Sequence, residues 1–209
     1  MKLTIDLLSD ATFGGGGGVA GTIDVEVAHT ATGLPLVQGK SLHGLLREAW
    51  LAMRPYFPEL EGAGRRLLGF EGDLEETAIL RVGDALPGPD IAAWAAWAVG
   101  RERHPLRREE ILESLTDVRY QTAQNRATGA PETTTLRAIR VVLRGLRLEA
   151  ALDWFEAPGG PEQRCLALCV LATRHAGLGR NRGRGHVRCC LDGDLEKTRT
   201  WAGLPGGTA

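Results

Sequence analysis

The 209-residue chain has no long apolar run, no CxxC cysteine pair and almost no net charge. A membrane-crossing helix needs about 20 consecutive apolar residues, and no stretch approaches that length. The N-terminus also lacks the pattern of a secretory signal. The expectation is a cytoplasmic protein with no membrane partner. The four cysteines fall as Cys165 and Cys169, one helical turn apart, and the adjacent Cys189 and Cys190. Without CxxC spacing they read as core residues of a reducing compartment, a zinc site recruiting His175 or His186 being the alternative. Lysine is scarce, the base being arginine almost throughout. A formal charge of −1 argues against a globally basic nucleic-acid binder but not against a local basic stripe.

Two motifs fail on inspection. Gly39-Lys40-Ser41 invites a nucleotide-binding reading, but a P-loop requires glycine at position 34, which is Leu34, and Pro35 would intrude into the cradle. An ATPase is excluded, and Ser41 is better read as a helix N-cap, with Lys40 directed at whatever lies beyond the helix start. The aromatic strand on which RRM modules stack bases is also missing, which argues against a generic RNA-binding module.

What is present is concentrated near the C-terminus. Gly177-Leu178-Gly179-Arg180-Asn181-Arg182-Gly183-Arg184-Gly185 alternates glycine with arginine, and Arg174 to Arg188 holds five arginines and no acid. Glycine lets backbone N–H groups approach a ligand closely, and guanidinium forks suit phosphate oxygens. The segment reads as a grip on a polyanion; the alternative is a solvated surface turn.

Along the chain, Lys2 to Leu8 alternates as a strand, the glycine run 14–18 is a loop, and Val19 to Val27 returns to β alternation. Asp24 and Glu26 fall on one face of that stretch, either as a metal-binding or catalytic pair or as an ordinary solvated face. Leu42 to Trp50 has helical spacing. Arg54 to Gly72 reads as loop with at most a short helix, Thr77 to Val82 as a strand, and Asp90 to Val99 as a helix packing Trp94 and Trp97 on the body. Arg107 to Leu115 reads as a polar helix, and Thr116 to Thr135 has no hydrophobic periodicity. Arg137 to Trp154 is a strand pair broken at Gly145, followed by a helix from Gln163 to Ala176, a strand from His186 to Leu191 and a frayed tail. The order is βαββαβ, an α+β, ferredoxin-like or RRM-like core in a single domain over residues 1–209, with inserted material at about 54–115.

Four stretches resemble the RAMP superfamily, specifically the repeating backbone subunits of type III CRISPR effector complexes. They are the glycine–arginine loop; Gly21-Thr22-Ile23-Asp24 with Thr32-Gly33-Leu34-Pro35; Gly39-Lys40-Ser41-Leu42-His43-Gly44-Leu45-Leu46-Arg47; and Arg119, Thr122-Ala123, Thr128-Gly129-Ala130 and Leu136. The last is similar to these subunits' β-hairpin thumb, about residues 116–136. The resemblance implies copies packed as a filament along a CRISPR RNA, beside other subunits of the complex, with thumbs pressing through the guide–target duplex. It implies periodic cleavage of target RNA with Mg²⁺ or another divalent cation, Asp24 matching the catalytic position and serving as the metal ligand. It further implies RNA contacts from Lys40, Ser41, His43, Arg47, Arg119 and Arg126, and from Gly177, Gly179, Arg180, Asn181, Arg182, Gly183, Arg184 and Gly185 of the loop. The chain departs from the family pattern with Gln38 where proline is usual and His43 where lysine is usual. Those departures keep a non-catalytic, guide-binding scaffold or capping subunit as the alternative.

Overall fold

The computed structural model describes residues 1–69, 78–132 and 135–204. Its main sheet is antiparallel, in the order β2 (Leu80–Val82), β6 (Arg147–Trp154), β1 (Lys2–Leu7), β7 (Val187–Leu191), with the short β3 (Leu86–Pro87) also pairing with β6. Helices α1 (Gly39–Met53) and α5 (Gly160–Ala172) make the two crossovers. This is the ferredoxin-like βαββαβ arrangement expected from the element order.

The pleat explains the layering. Leu3, Ile5 and Leu7 face the helices, and their partners across the sheet do the same: Ala150 and Leu148 from β6, and Leu191, Cys189 and Val187 from β7. Against them pack Leu42, Leu46 and Trp50 of α1 and Cys165, Leu166, Cys169 and Val170 of α5. All four thiols are free and buried, and burial pushes Cys189 up to about 12. On the opposite face Asp6 sits between Arg147 and Arg188. Its carboxylate accepts from Arg147 Nε at 2.7 Å and from Arg188 Nη2 at 3.3 Å. The Arg147 bond, more than the Arg188 charge, holds Asp6 below the usual carboxylate range.

Several sequence expectations are corrected. Ser41 is not the N-cap of α1: the helix starts at Gly39, so Ser41 lies in its first turn, and Gln38 takes the cap position. A cap-like bond comes instead from Asp84, whose Oδ1 accepts from Gly39 N at 2.7 Å. The Arg54–Gly72 stretch, read as loop with at most a short helix, does hold one, the eight-residue α2 (Glu61–Leu68), whose Leu67 and Leu68 are buried, while residues 70–72 lie outside the described residues. Val19–Val27 forms no continuous strand, only isolated pairings of Val19, Val25 and Val27. Trp94 and Trp97, expected to pack on the body, are 49% and 60% exposed; α3 (Pro89–Gly100) instead buries its small residues Ala95 and Ala98. Ala95, with α4 (Arg108–Leu115) and Leu34, forms a small second core. The tail is not frayed as far as Leu204. Asp194 caps α6 (Leu195–Trp201) by accepting from Lys197 N, and Thr198 and Ala202 are buried. Thr77 lies outside the described residues.

The residues after α4 change the architecture most. Thr116–Gln121 is a strand, β4, and it pairs with β5 (Arg137–Val142) in a separate two-stranded sheet. The strand pair read from Arg137 to Trp154 is therefore two strands that part company near Gly145 (φ +89°), β5 going to β4 and β6 to the main sheet. Among the described residues, no helix is long and apolar enough to cross a membrane.

Two outcomes follow. Leu148→Ala, at a fully buried position in the middle of the sheet, should cost roughly 2–5 kcal/mol, read as a lowered denaturant midpoint. Asp6 has a lowered folded pKa, so its stabilisation is present above the ordinary aspartate value of about 4 and is lost as pH falls through the lower folded value. Unfolding free energy should drop over that acid window by about 0.5–1 kcal/mol more in the unmodified protein than in Asp6→Asn, the range for a partly exposed pair.

Candidate nucleic-acid interface

The glycine–arginine segment leaves α5 through a narrow neck. Ala176 N donates to Gly185 O, Val187 N to Arg174 O, and His175 faces His186 with the rings stacked 5.3 Å apart. The neck is docked on the turn after β1: Leu178 N donates to Thr12 O and Gly185 N to Asp10 O, both at 2.9 Å. Gly177 and Gly185 have φ of +85° and +67°, and a Cβ would strike the carbonyl of Thr12 or of Ala176 respectively. Only glycine meets both demands. Beyond the neck a single 3₁₀ turn, Arg180–Arg182, is bracketed by Gly179 and Gly183 in the left-handed conformation.

Two open grooves flank this loop. The larger, about 840 Å³, runs between Arg180, Asn181, Arg182 and Arg184 on one wall and Gln121 and Ile139 of the hairpin sheet on the other. The smaller, about 580 Å³, holds Arg119, Arg144, Asp10 and Gly183. Arg184 lines both. The arginines differ in how far they are neutralised. Arg180 pairs with Glu48 of α1 at 3.0 Å. Arg119 pairs with Asp10 at 2.9 Å and with Asp117 at 2.8 Å. Arg182 and Arg184 have no acidic partner among the described residues.

The other residues expected to meet RNA lie elsewhere. Lys40 and Ser41 are exposed on the first turn of α1. His43, half-buried, is pulled below the usual histidine range by burial and then by the Arg47 charge. Arg47 itself lines a separate cavity of about 220 Å³ with Trp50, Arg54 and Glu61. Arg126 sits in the exposed turn beyond β4, where the Asn125 side chain accepts from Ala127 N and Thr128 N.

Asp24 lines neither groove and is linked to the larger one only through β5. Its N donates to Ala138 O at 2.8 Å, its Oδ2 accepts from Ala138 N at 2.7 Å, and Arg140 N donates to Val25 O. Residues 24 and 25 thus bond the edge of β5 opposite β4, one residue from Ile139, which lines the larger groove. The Asp24 residue is exposed. Glu26 is committed elsewhere, paired with Arg140 at 2.9 Å and accepting from Val27 N. His29 Nδ1 is turned to its neighbour's carbonyl at Thr30.

No group of three or more His, Cys, Asp and Glu side chains is arranged to hold a metal among the described residues. Asp24 retains one carboxylate oxygen not bonded to Ala138. A single protein oxygen completed by phosphate oxygens and water is a donor set that Mg²⁺ accepts. The residues therefore fit a site that RNA must complete, and not a preformed cage.

Sequence reasoning did not reach Gln121, Glu48, Asp10 or Arg144. Gln121 lies in a stretch without periodicity, and the other three acquire meaning only from partners more than 100 residues away.

No curated protein matches the chain in sequence. Solved structures that share its fold include a chain of the Type III-B Cmr-beta bound to cognate target RNA and one of the Type III-B Cmr-beta in its apo state. Both are 13% identical, with TM-scores of 0.66. The first covers 90% of this chain and 95% of its own, the second 93% and 97%. The RAMP superfamily model matches residues 4–188, covering both crossovers, the hairpin sheet and the arginine loop, and the chain belongs to that superfamily.

Proposed function

We propose that the chain is an RNA-binding backbone subunit of a type III CRISPR effector complex, working in the cytoplasm beside neighbouring copies and other subunits. In this reading it holds the CRISPR RNA and cuts paired target RNA at periodic positions. Support comes from superfamily membership and from the fold shared with a Cmr-beta chain bound to target RNA. The observation that carries the reading is that the hairpin strand β4 and the Asp24 turn flank β5, whose Ile139 lines the groove walled on its other side by the arginine loop.

Arg182 and Arg184 take phosphate oxygens through charge-assisted bonds, and the neck fixes where those bonds point. Arg180 contributes once Glu48 is displaced. Target cleavage is an in-line displacement: the ribose 2′-oxygen bonds to the adjacent phosphorus as the P–O5′ bond breaks. The 2′-proton passes to water, the 5′-oxygen takes one up, and the products are a 2′,3′-cyclic phosphate and a 5′-hydroxyl. Asp24 would hold the divalent cation through the carboxylate oxygen that Ala138 leaves free. The bound ion would neutralise the scissile phosphate. Ala138 N fixes the carboxylate so that this oxygen keeps its direction.

One observation favours the scaffold alternative. The Asp24–Ala138 and Glu26–Arg140 contacts give both acids a structural task, namely fastening residues 24–26 to β5. Asp24→Asn separates the two readings better than alanine, because it retains an acceptor for the Ala138 amide. In a reconstituted complex with guide, target and Mg²⁺, the nuclease reading expects cleavage to fall at least about a hundredfold with RNA still bound. Unchanged cleavage would assign the chain to the scaffold role.

Arg182→Ala and Arg184→Ala should each weaken binding of a single-stranded RNA about tenfold at moderate salt. Each should also lower the slope of log K against log salt by about 0.7, measured by filter binding over a salt series. Wild-type slope and affinity in both variants would exclude the loop as the phosphate grip.

A further inference from the structure

Gln121 closes β4 opposite Arg137, on the strand face that also carries Asp117 and Arg119. Two ties cross from that face to the ferredoxin-like core: Arg119 reaches Asp10 in the turn after β1, and Gln121 meets Arg184 in the arginine loop. The amide presents its oxygen to Arg184, since the opposite orientation sets its N–H groups against those of Arg184 at close range and gives the oxygen only a 3.5 Å contact from Arg182 Nη1. So oriented, Oε1 accepts from Arg184 Nη1 at 2.9 Å and Nη2 at 2.7 Å. Arg184 is the residue common to both grooves, so its guanidinium stands on the divide between them.

We propose that Gln121 is a positioning residue that aims Arg184 at a ribose-phosphate strand passing from one groove to the other, an inference that rests on the RNA-binding reading above. The chemistry of the acceptor decides the point. Glu48 and Asp10 are carboxylates and neutralise Arg180 and Arg119. An amide oxygen at 121 orients the guanidinium through two of its five N–H donors and leaves the full positive charge and three donors for phosphate. The same bond ties the end of β4 to the loop, so the hairpin and the phosphate grip keep one relative position. Without it Arg184 must be ordered anew each time RNA binds, which costs side-chain entropy.

The test uses the full chain and a fluorescein-labelled single-stranded RNA, read by anisotropy across a salt series. Gln121→Ala should weaken binding about two- to tenfold with an unchanged salt slope, because the number of charges meeting phosphate is the same. In an Arg184→Ala background the same substitution should have no further effect. Gln121→Glu should lower the slope by about 0.7, because the carboxylate neutralises Arg184. Melting temperatures of the variants should match the parent, since the side chain lies at the groove surface. Wild-type affinity in Gln121→Ala, or an equal loss with and without Arg184, would overturn the role of Gln121 while leaving the RNA reading in place. No binding by the unmodified chain would overturn both.

Discussion

A strand interior to a fold has two hydrogen-bonding edges, and buried backbone donors and acceptors left unpaired on either are costly. β5 meets that requirement by leaving the main sheet and taking β4 on one edge, with Ala11 and residues 24–25 on the other. The rest of the candidate site depends on this double pairing. It sets the Asp24 turn, the hairpin face bearing Arg119 and Gln121, and the groove-lining Ile139 on a strand only six residues long. Arg140 reinforces it from the far face, bridging Glu26 and the Thr116 hydroxyl and so linking both flanks of β5 through one half-buried side chain.

Charge is arranged with the same economy. Arg180 is matched by Glu48 of α1, and Arg119 by Asp10 from the turn after β1 and by Asp117 of its own strand, while Asp6 takes Arg147 and Arg188 on the outer face of the main sheet. A chain of net charge −1 can therefore present a confined positive site without a long-range field. Among the groove-lining arginines of the described residues, Arg144, Arg182 and Arg184 carry charge without an ion-pair partner, and for the last two backbone docking through Gly177 and Gly185 fixes the base of the loop. Close backbone approach and focused charge are thus two results of one glycine–arginine alternation.

Much of this was legible in the residues. Alternation in Leu3, Ile5 and Leu7, helical spacing in Leu42, Leu46 and Trp50, and the break at Gly145 gave the core order, because each reports a periodic burial imposed by the neighbouring layer. The glycine–arginine loop was legible for a different reason: composition alone states which backbone conformations and ligand charges are favoured there. The reading failed where burial is irregular. Val19–Val27 alternates like a strand yet pairs only at isolated points, since the glycine run beside it offers no regular edge. Trp94 and Trp97 looked like core residues, but α3 turns its alanines inward. β4 was hidden because its Asp117, Arg119 and Gln121 share one polar face, Arg119 and Gln121 lining the grooves, and its Tyr120 is exposed, so hydrophobic alternation never develops.

By itself, then, the sequence determined the ferredoxin-like order of elements and the anion-seeking chemistry of residues 177–185, because both follow from local periodicity and side-chain type. Only the tertiary structure decided which arginines keep their charge, which strand carries Asp24, and that Gln121 meets Arg184. Those are contacts between segments 60 to more than 100 residues apart. Each is fixed by the requirement that every edge and every partly buried charge find a partner, a condition no local window of residues contains.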